Sequence, residues 1–306
     1  MEINRRAFVG AGALALSAGA NAFAAQRIID THIHLYDPTR PQGVPWPPKD
    51  NTLLYRRTLP PEFHAATSGL GVTGAIVVES NAWLEDNQWV LDLARDNPFI
   101  VGFVGHLDPA DAAFRNNLAR FSSNRLFRGI RLSGRAIGAG LSQSGFMANL
   151  KRLADQDLEL DAIGDATMFR DLVILADREP RLRIVINHLP FDPLKDSGAR
   201  DSAESAFREL GRRPQVYAKV SGVLRSVADR TPSELSFYKE SIDRLWDKFG
   251  RDRLIYGSNW PVSNRFAAYP VVLQVVRDYF AAKGPEASER YFWRNSQAAY
   301  KWVERG

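Results

Sequence analysis

Eight short apolar runs, each followed by a stretch of helical length, constrain this chain more than any other feature. They begin at Ile28-Ile29 and recur at residues 72–79, 99–105, 126–132, 158–162, 182–187, 215–220 and 253–257. Helical patterns fall between them, over 60–69, 84–96, 110–121, 146–155, 166–178, 203–210, 233–248 and 271–281, with a last one over 288–304. The glycine- and serine-rich segment from Gly134 to Gly145 reads as a loop. The apolar runs are mostly unalternated, as strands are when both faces of their sheet are covered. Eight strand–helix units predict an α/β fold, a (β/α)8 TIM barrel. A doubly wound open sheet is the alternative, but no GxGxxG or GxxxxGK fingerprint supports a nucleotide fold.

Polar residues gather where the strands end. They are His32 and His34, Glu79, His106, Arg131, Asp161, His188, Lys219 and Asn259. Barrel enzymes build their chemistry at that end. The side-chain period of a strand is two, so His32 and His34 point to the same side. Two neutral imidazoles aimed at one point can bind a metal or hold a polarised oxygen. Residues 38–61 hold several prolines and form no regular element. A long loop directly after a candidate active-site strand reads as a lid or binding wall.

Residues 1–25 stand apart. Arg5 and Arg6 precede a short apolar run through Phe8, Val9, Leu14 and Leu16, and small residues follow to Ala25. This reads as an export signal, resembling the twin-arginine type, cleaved near Ala24 or Ala25. A periplasmic or otherwise exported protein carried by the twin-arginine machinery is the expectation, with 26–306 as a single barrel domain. The chain has no cysteine, which excludes disulfides and thiol catalysis. Its formal charge of +5 is mild and interspersed, with no basic tail or helix that points to nucleic acid. Exposed barrel helices could pair two protomers, but no sequence stripe marks a homo-oligomer interface.

Thr31-His32-Ile33-His34, Ile186-Asn187-His188 and Tyr256-Gly257-Ser258-Asn259-Trp260-Pro261 together resemble the amidohydrolase superfamily, amidohydrolase-related family 2. The likeness is to its lactonase-rich branch, with enzymes similar to fuconolactonase, rhamnonolactonase, sulfomuconolactone hydrolase and pyrone-dicarboxylate lactonase. It implies an amidohydrolase-type barrel over the whole mature chain. It also implies that His32, His34 and His188 surround the reaction centre. In some relatives they help hold a divalent metal, with zinc the expected ion here; others hydrolyse lactones with no obligatory metal.

Asn259 departs from the pattern, which has aspartate there, as in GSDWP. That carboxylate takes the proton of the attacking water, and an amide cannot. Asn259 could orient water while another carboxylate acts as base. It could be an introduced change that captures substrate, or mark a binding protein of little turnover. Glu79 and Asp161 are the replacement carboxylates. Arg131 would bind a substrate carboxylate or stabilise the oxyanion; its alternative is a salt bridge closing the barrel end. Lys219 has the same two readings. Trp46, Trp83 and Trp260, with His106, would line a small organic substrate.

The expected reaction is hydrolysis of a lactone C–O bond, in a sugar-derived or cyclic organic-acid lactone. The alternatives are non-oxidative decarboxylation of a cyclic or aromatic acid, and a catalytically weakened periplasmic ligand-binding protein.

Overall fold

The computed structural model describes residues 27–192, 194–228 and 230–305. The export signal expected over 1–25 lies outside them. Eight described strands follow one another in sheet order as in the chain, each parallel to the next. They are β1 (Ile28–Ile33), β2 (Val72–Val78), β3 (Ile100–Gly105), β4 (Phe127–Ser133), β5 (Glu159–Ile163), β6 (Arg183–Leu189), β7 (Val216–Val220) and β8 (Leu254–Tyr256).

β8 is only three residues long, and the barrel closes through side chains as well as backbone. Ile33 bridges Trp260, and the His34 amide donates to the Trp260 carbonyl at 2.9 Å. The Thr31 hydroxyl donates to the Tyr256 carbonyl at 2.6 Å. Buried Asp30 accepts from the Ser258 amide and from the Tyr269 hydroxyl, each at 2.9 Å. The (β/α)8 barrel expected from eight strand–helix units is the observed fold.

Its apolar core has two parts. The larger lies between sheet and helices, with Ile33, Val77, Phe103 and Ile184 facing helix residues such as Leu150, Leu172 and Leu273. The smaller joins Ile29, Ile76, Val101, Val185 and Ile255 to Tyr300 and Trp302 near the C-terminus. Arg128 at the start of β4 donates to the Tyr300 carbonyl at 2.9 Å. Arg183 at the start of β6 donates to the Ala299 carbonyl at 2.5 Å. The C-terminal segment therefore plugs the barrel at the strand N-termini, opposite the polar strand ends.

Two segments differ in kind from the sequence reading. Gly134–Gly140 is a helix rather than loop, because the Ser133 hydroxyl caps it by accepting from the Ala136 amide, and Ile137 is buried. The pattern over 288–304 is not one helix. It divides into Pro285–Glu289, a π-helical turn over Arg290–Arg294, and Asn295–Tyr300, ending at Lys301 with φ +51°. That break turns Trp302 under the barrel, where its indole N–H donates to the Ser296 hydroxyl at 3.0 Å.

Candidate active site

Three histidines meet at the polar end. His32 lies within β1, His34 one residue beyond it, and His188 near the end of β6. The ring centroids of His32 and His34 are 4.9 Å apart, and those of His32 and His188 are 4.4 Å apart. The approach depends on small neighbours: a Cβ on Gly257 would stand 2.8 Å from the His32 Cβ. His188 and Asn259 both adopt left-handed backbone, at φ +60° and +59°. Such conformations collect at functional sites, where surrounding contacts hold them. Here Ser221 holds His188, accepting from its amide and standing 3.1 Å from its Nδ1. Asn259 lies beside His34.

Burial pushes all three imidazoles below their ordinary pKa, and the nearby charges of Lys219 and Arg131 add to this. His34 is lowered to about 3. The trio is neutral at neutral pH and suited to hydrogen bonding rather than charge. The His34 Nδ1 lies 3.1 Å from the Val78 carbonyl.

A polar layer supports the trio. Lys219 is fully buried, and its ammonium contacts the Asp161 carboxylate (2.9 Å), the Thr31 carbonyl (3.1 Å) and the His32 Nδ1 (3.3 Å). The structure thus moves Lys219 from substrate-binding wall to support, because all three N–H groups are already engaged. Asp161 is also fully buried and accepts from Lys219, Asn187 (3.1 Å) and Tyr300 (2.7 Å). Both oxygens of this carboxylate are thus engaged by protein donors, which places Asp161 among the supporting groups.

Glu79 and Arg131 form a half-buried pair. The Arg131 Nε donates to the Glu79 Oε1 at 2.9 Å, and Nη2 to the Glu79 carbonyl at 2.7 Å. Of the two expectations for Arg131, the ion pair is what the structure shows, with the guanidinium charge felt by the histidines. Trp46 reaches in from the irregular 38–58 loop, its ring centroid 5.7 Å from that of His34. Tyr36 and Thr58 pair their backbones at the base of that loop. Arg40 fastens it to the helix Leu84–Arg95 through Asp86 (2.8 Å) and Trp89. The loop is a wall of the site.

Three aromatic or imidazole candidates have neighbours other than the trio. Trp83 is exposed at the cap of the helix that follows β2. Trp260 is buried with its ring against Phe63, so it is core rather than substrate wall, although its carbonyl anchors His34. His106 is half-buried after β3, and Asn87 clamps its backbone at both amide and carbonyl.

Sequence reading missed Asp30, Glu159, Ser221 and Tyr300. Asp30 also accepts from the His32 amide at 3.1 Å, tying the first histidine to the β8 loop. Glu159 is fully buried below Asp161, and burial with the neighbouring Asp161 charge pushes its carboxyl well up, to the neutral form. Only the bare side chain of Gly129 leaves room for it. The period-two spacing of Glu159 and Asp161 was the available signal for a shared inner face.

The sequence profile of the amidohydrolase family matches residues 29–302. This chain belongs to the amidohydrolase family. The amidohydrolase is 29% identical over 281 residues to L-fucono-1,5-lactonase of Burkholderia ambifaria, covering 89% of this chain and 95% of that one. Among solved structures it resembles an amidohydrolase from Burkholderia multivorans with bound zinc, at TM-score 0.78 and 23% identity, over 90% of this chain and 99% of that one. It also resembles amidohydrolase 2 from Bifidobacterium longum subsp. infantis, at TM-score 0.70 and 22% identity, over 91% and 100%. Family and fold make it an enzyme of the amidohydrolase hydrolase type.

The donor set bears on the metal expected at His32, His34 and His188. Among the described residues, no group of three or more His, Asp or Glu is arranged to hold a metal ion. The charges around the trio point the same way. Lys219 stands against the His32 ring, Arg131 adds a second cation, and Asp161 and Glu79 are already paired with them. Position 259 supplies a neutral amide. A divalent ion would enter a positive field in which Glu79 and Asp161 are already engaged by Arg131 and Lys219. These residues do not fit a metal as a three-histidine set.

Proposed function

We propose that this amidohydrolase hydrolyses the C–O ester bond of a lactone, with a sugar-derived or cyclic organic-acid lactone as substrate. The observation that carries the reading is the convergence of three neutral histidines on one point, with the His32 Nε2 buried and unpartnered. A small carbonyl compound would supply the missing partner. The similarity to an L-fucono-1,5-lactonase favours a sugar lactone, in the lactonase-rich branch of the family.

In this reading the histidines polarise the carbonyl without a metal. Water adds to the carbonyl carbon, and the oxyanion takes hydrogen bonds from the imidazole centre and the Arg131 guanidinium. Glu79 receives the proton of the water: Arg131 occupies its Oε1, while Asp161 is fully enclosed. The tetrahedral adduct then collapses, the ring C–O bond breaks, and the proton returns to the ring oxygen. The product is the open hydroxy acid.

Product analysis tests this. Incubation with a panel of aldono-1,5-lactones should give the hydroxy acid over many turnovers. Carbon dioxide from a cyclic acid would instead support decarboxylation. A single equivalent of tightly held ligand would support a binding protein. Either result overturns the lactonase reading.

A further inference from the structure

The two histidines of the Thr31-His32-Ile33-His34 stretch have different neighbours, and the difference settles where each holds its proton. A lysine ammonium has three N–H donors and no acceptor. The three atoms around the Lys219 Nζ are the Asp161 Oδ2 at 2.9 Å, the Thr31 carbonyl at 3.1 Å and the His32 Nδ1 at 3.3 Å. Each must accept, so the His32 Nδ1 presents a lone pair. A neutral imidazole carries one N–H, which places it on Nε2. That atom is fully buried and meets no partner within the protein.

His34 is the reverse. Its Nδ1 lies 3.1 Å from the Val78 carbonyl, which only accepts. The proton is therefore on Nδ1, and Nε2 presents a lone pair. Two rings of the same type, 4.9 Å apart, thus face the site with opposite polarity.

We infer that Lys219 is a positioning residue that fixes His32 as the hydrogen-bond donor to the substrate carbonyl oxygen, while the Val78 carbonyl fixes His34 as an acceptor for the attacking water. The identity of the ligand rests on the lactonase reading above; the two tautomers do not. The neighbours of Lys219 suit this role. Asp161 balances its charge, and the Tyr300 hydroxyl and the Asn187 amide hold Asp161 in place. Lysine is needed here because a hydroxyl or amide could turn to accept from Nδ1–H, whereas an ammonium cannot. An unsatisfied buried N–H is unfavourable in the free protein, which a carbonyl ligand relieves.

The chain has five histidines, few enough for 15N-histidine labelling and long-range 1H–15N correlation at pH 7.5. His32→Gln and His34→Gln identify the two sets of signals. The expected spectrum has His32 protonated on Nε2 and His34 on Nδ1. The same tautomer in both rings, or His32 protonated on Nδ1, would overturn the inference. In folded Lys219→Met, the His32 signals should move toward the Nδ1–H form. With a turned-over lactone, kcat should fall roughly 10²–10³-fold, the range for losing one oxyanion donor, with KM little changed.

The absence of native cysteine allows a rescue. Lys219→Cys, unfolded, aminoethylated at its single thiol and refolded, regains an ammonium of nearly lysine length. It should restore both the His32 tautomer and kcat. An unchanged tautomer in Lys219→Met would remove Lys219 from the role. If Lys219→Met does not fold, the wild-type spectrum and the aminoethylated protein decide. Failure of every lactone to react would sink the substrate reading and leave the tautomer result standing.

Discussion

Arg131 grips Glu79 twice, its Nε on the carboxylate at 2.9 Å and its Nη2 on the backbone carbonyl at 2.7 Å. The grip fixes the carboxylate at the end of β2, next to the Val78 carbonyl that orients His34. In the proposed mechanism Glu79 is the base, in a site where Asn259 cannot titrate. Glu79→Gln should therefore lower kcat by about 10²–10⁴-fold, the usual contribution of a general base. Steady-state kinetics on the hydrolysed lactone check this; a loss below about threefold would remove Glu79 from the role.

Asn259→Asp should raise kcat/KM at neutral pH by about tenfold or more, since a base beside His34 avoids the Arg131 ion pair. The Lys219 and Arg131 charges favour an ionised carboxylate there. Glu79→Gln should then be tolerated in the Asn259→Asp background and not in the wild type. Rates across pH for the four proteins give the answer, and a decrease on Asn259→Asp at every pH contradicts it.

The barrel seam hangs on Asp30. Its carboxylate accepts from the His32 amide, the Ser258 amide and the Tyr269 hydroxyl, all inside the protein. Asp30→Ala leaves these donors without their partner and should lower stability by roughly 2–4 kcal/mol. Urea unfolding measures it. Activity should fall further than the folded fraction, because the same carboxylate aligns the strand of His32 with the loop of Asn259.

Buried neutral histidines make the fold sensitive to acid. Burial lowers the folded pKa of His34 to about 3, against an unfolded value near 6.5. The unfolded chain thus binds this proton first as pH falls. The stability is fully present above about pH 6.5 and is lost progressively toward pH 3, at up to about 1.4 kcal/mol per unit per histidine. His32 and His188 act in the same direction, while the raised carboxyls of Asp30 and Glu159 act against it. His34→Gln isolates the contribution of one histidine. Its unfolding free energy should drop less between pH 7.5 and 5.0 than that of the wild type; equal drops would show that His34 is not held neutral.

The barrel was legible because unalternated apolar runs recur eight times, a pattern that covered parallel strands impose. The histidine centre was legible because period two in β1 fixes direction, and strand order in a closed barrel brings His188 across to it. The supporting layer was not. Lys219 and Asp161 stand out as polar residues near strand ends, but whether such a side chain meets substrate or a neighbour depends on its depth in the barrel. The contrast of Trp46 with Trp260 has a similar origin: the first lies on a loop that folds back over His34, the second follows a strand whose turn points its ring at Phe63. Tyr300 was hidden because a π-helical turn broke the helix that its sequence implied.

Export is a separate expectation, resting on the twin arginines and the short apolar run of residues 1–25. Mass spectrometry of the protein recovered from the periplasm of its host should find a mature N-terminus at or next to Gln26. Intact Met1 on exported protein would contradict it.

The central claim is that the histidine centre hydrolyses a lactone. The direct measurement is proton release in a pH-stat, with a panel of aldono-1,5-lactones and the wild type, His32→Ala and His188→Ala proteins. The account predicts one proton per lactone opened, over many turnovers, by the wild type. It predicts a fall of at least about 10²-fold in both variants, with near-native circular dichroism. Turnover that survives in both folded variants would contradict it.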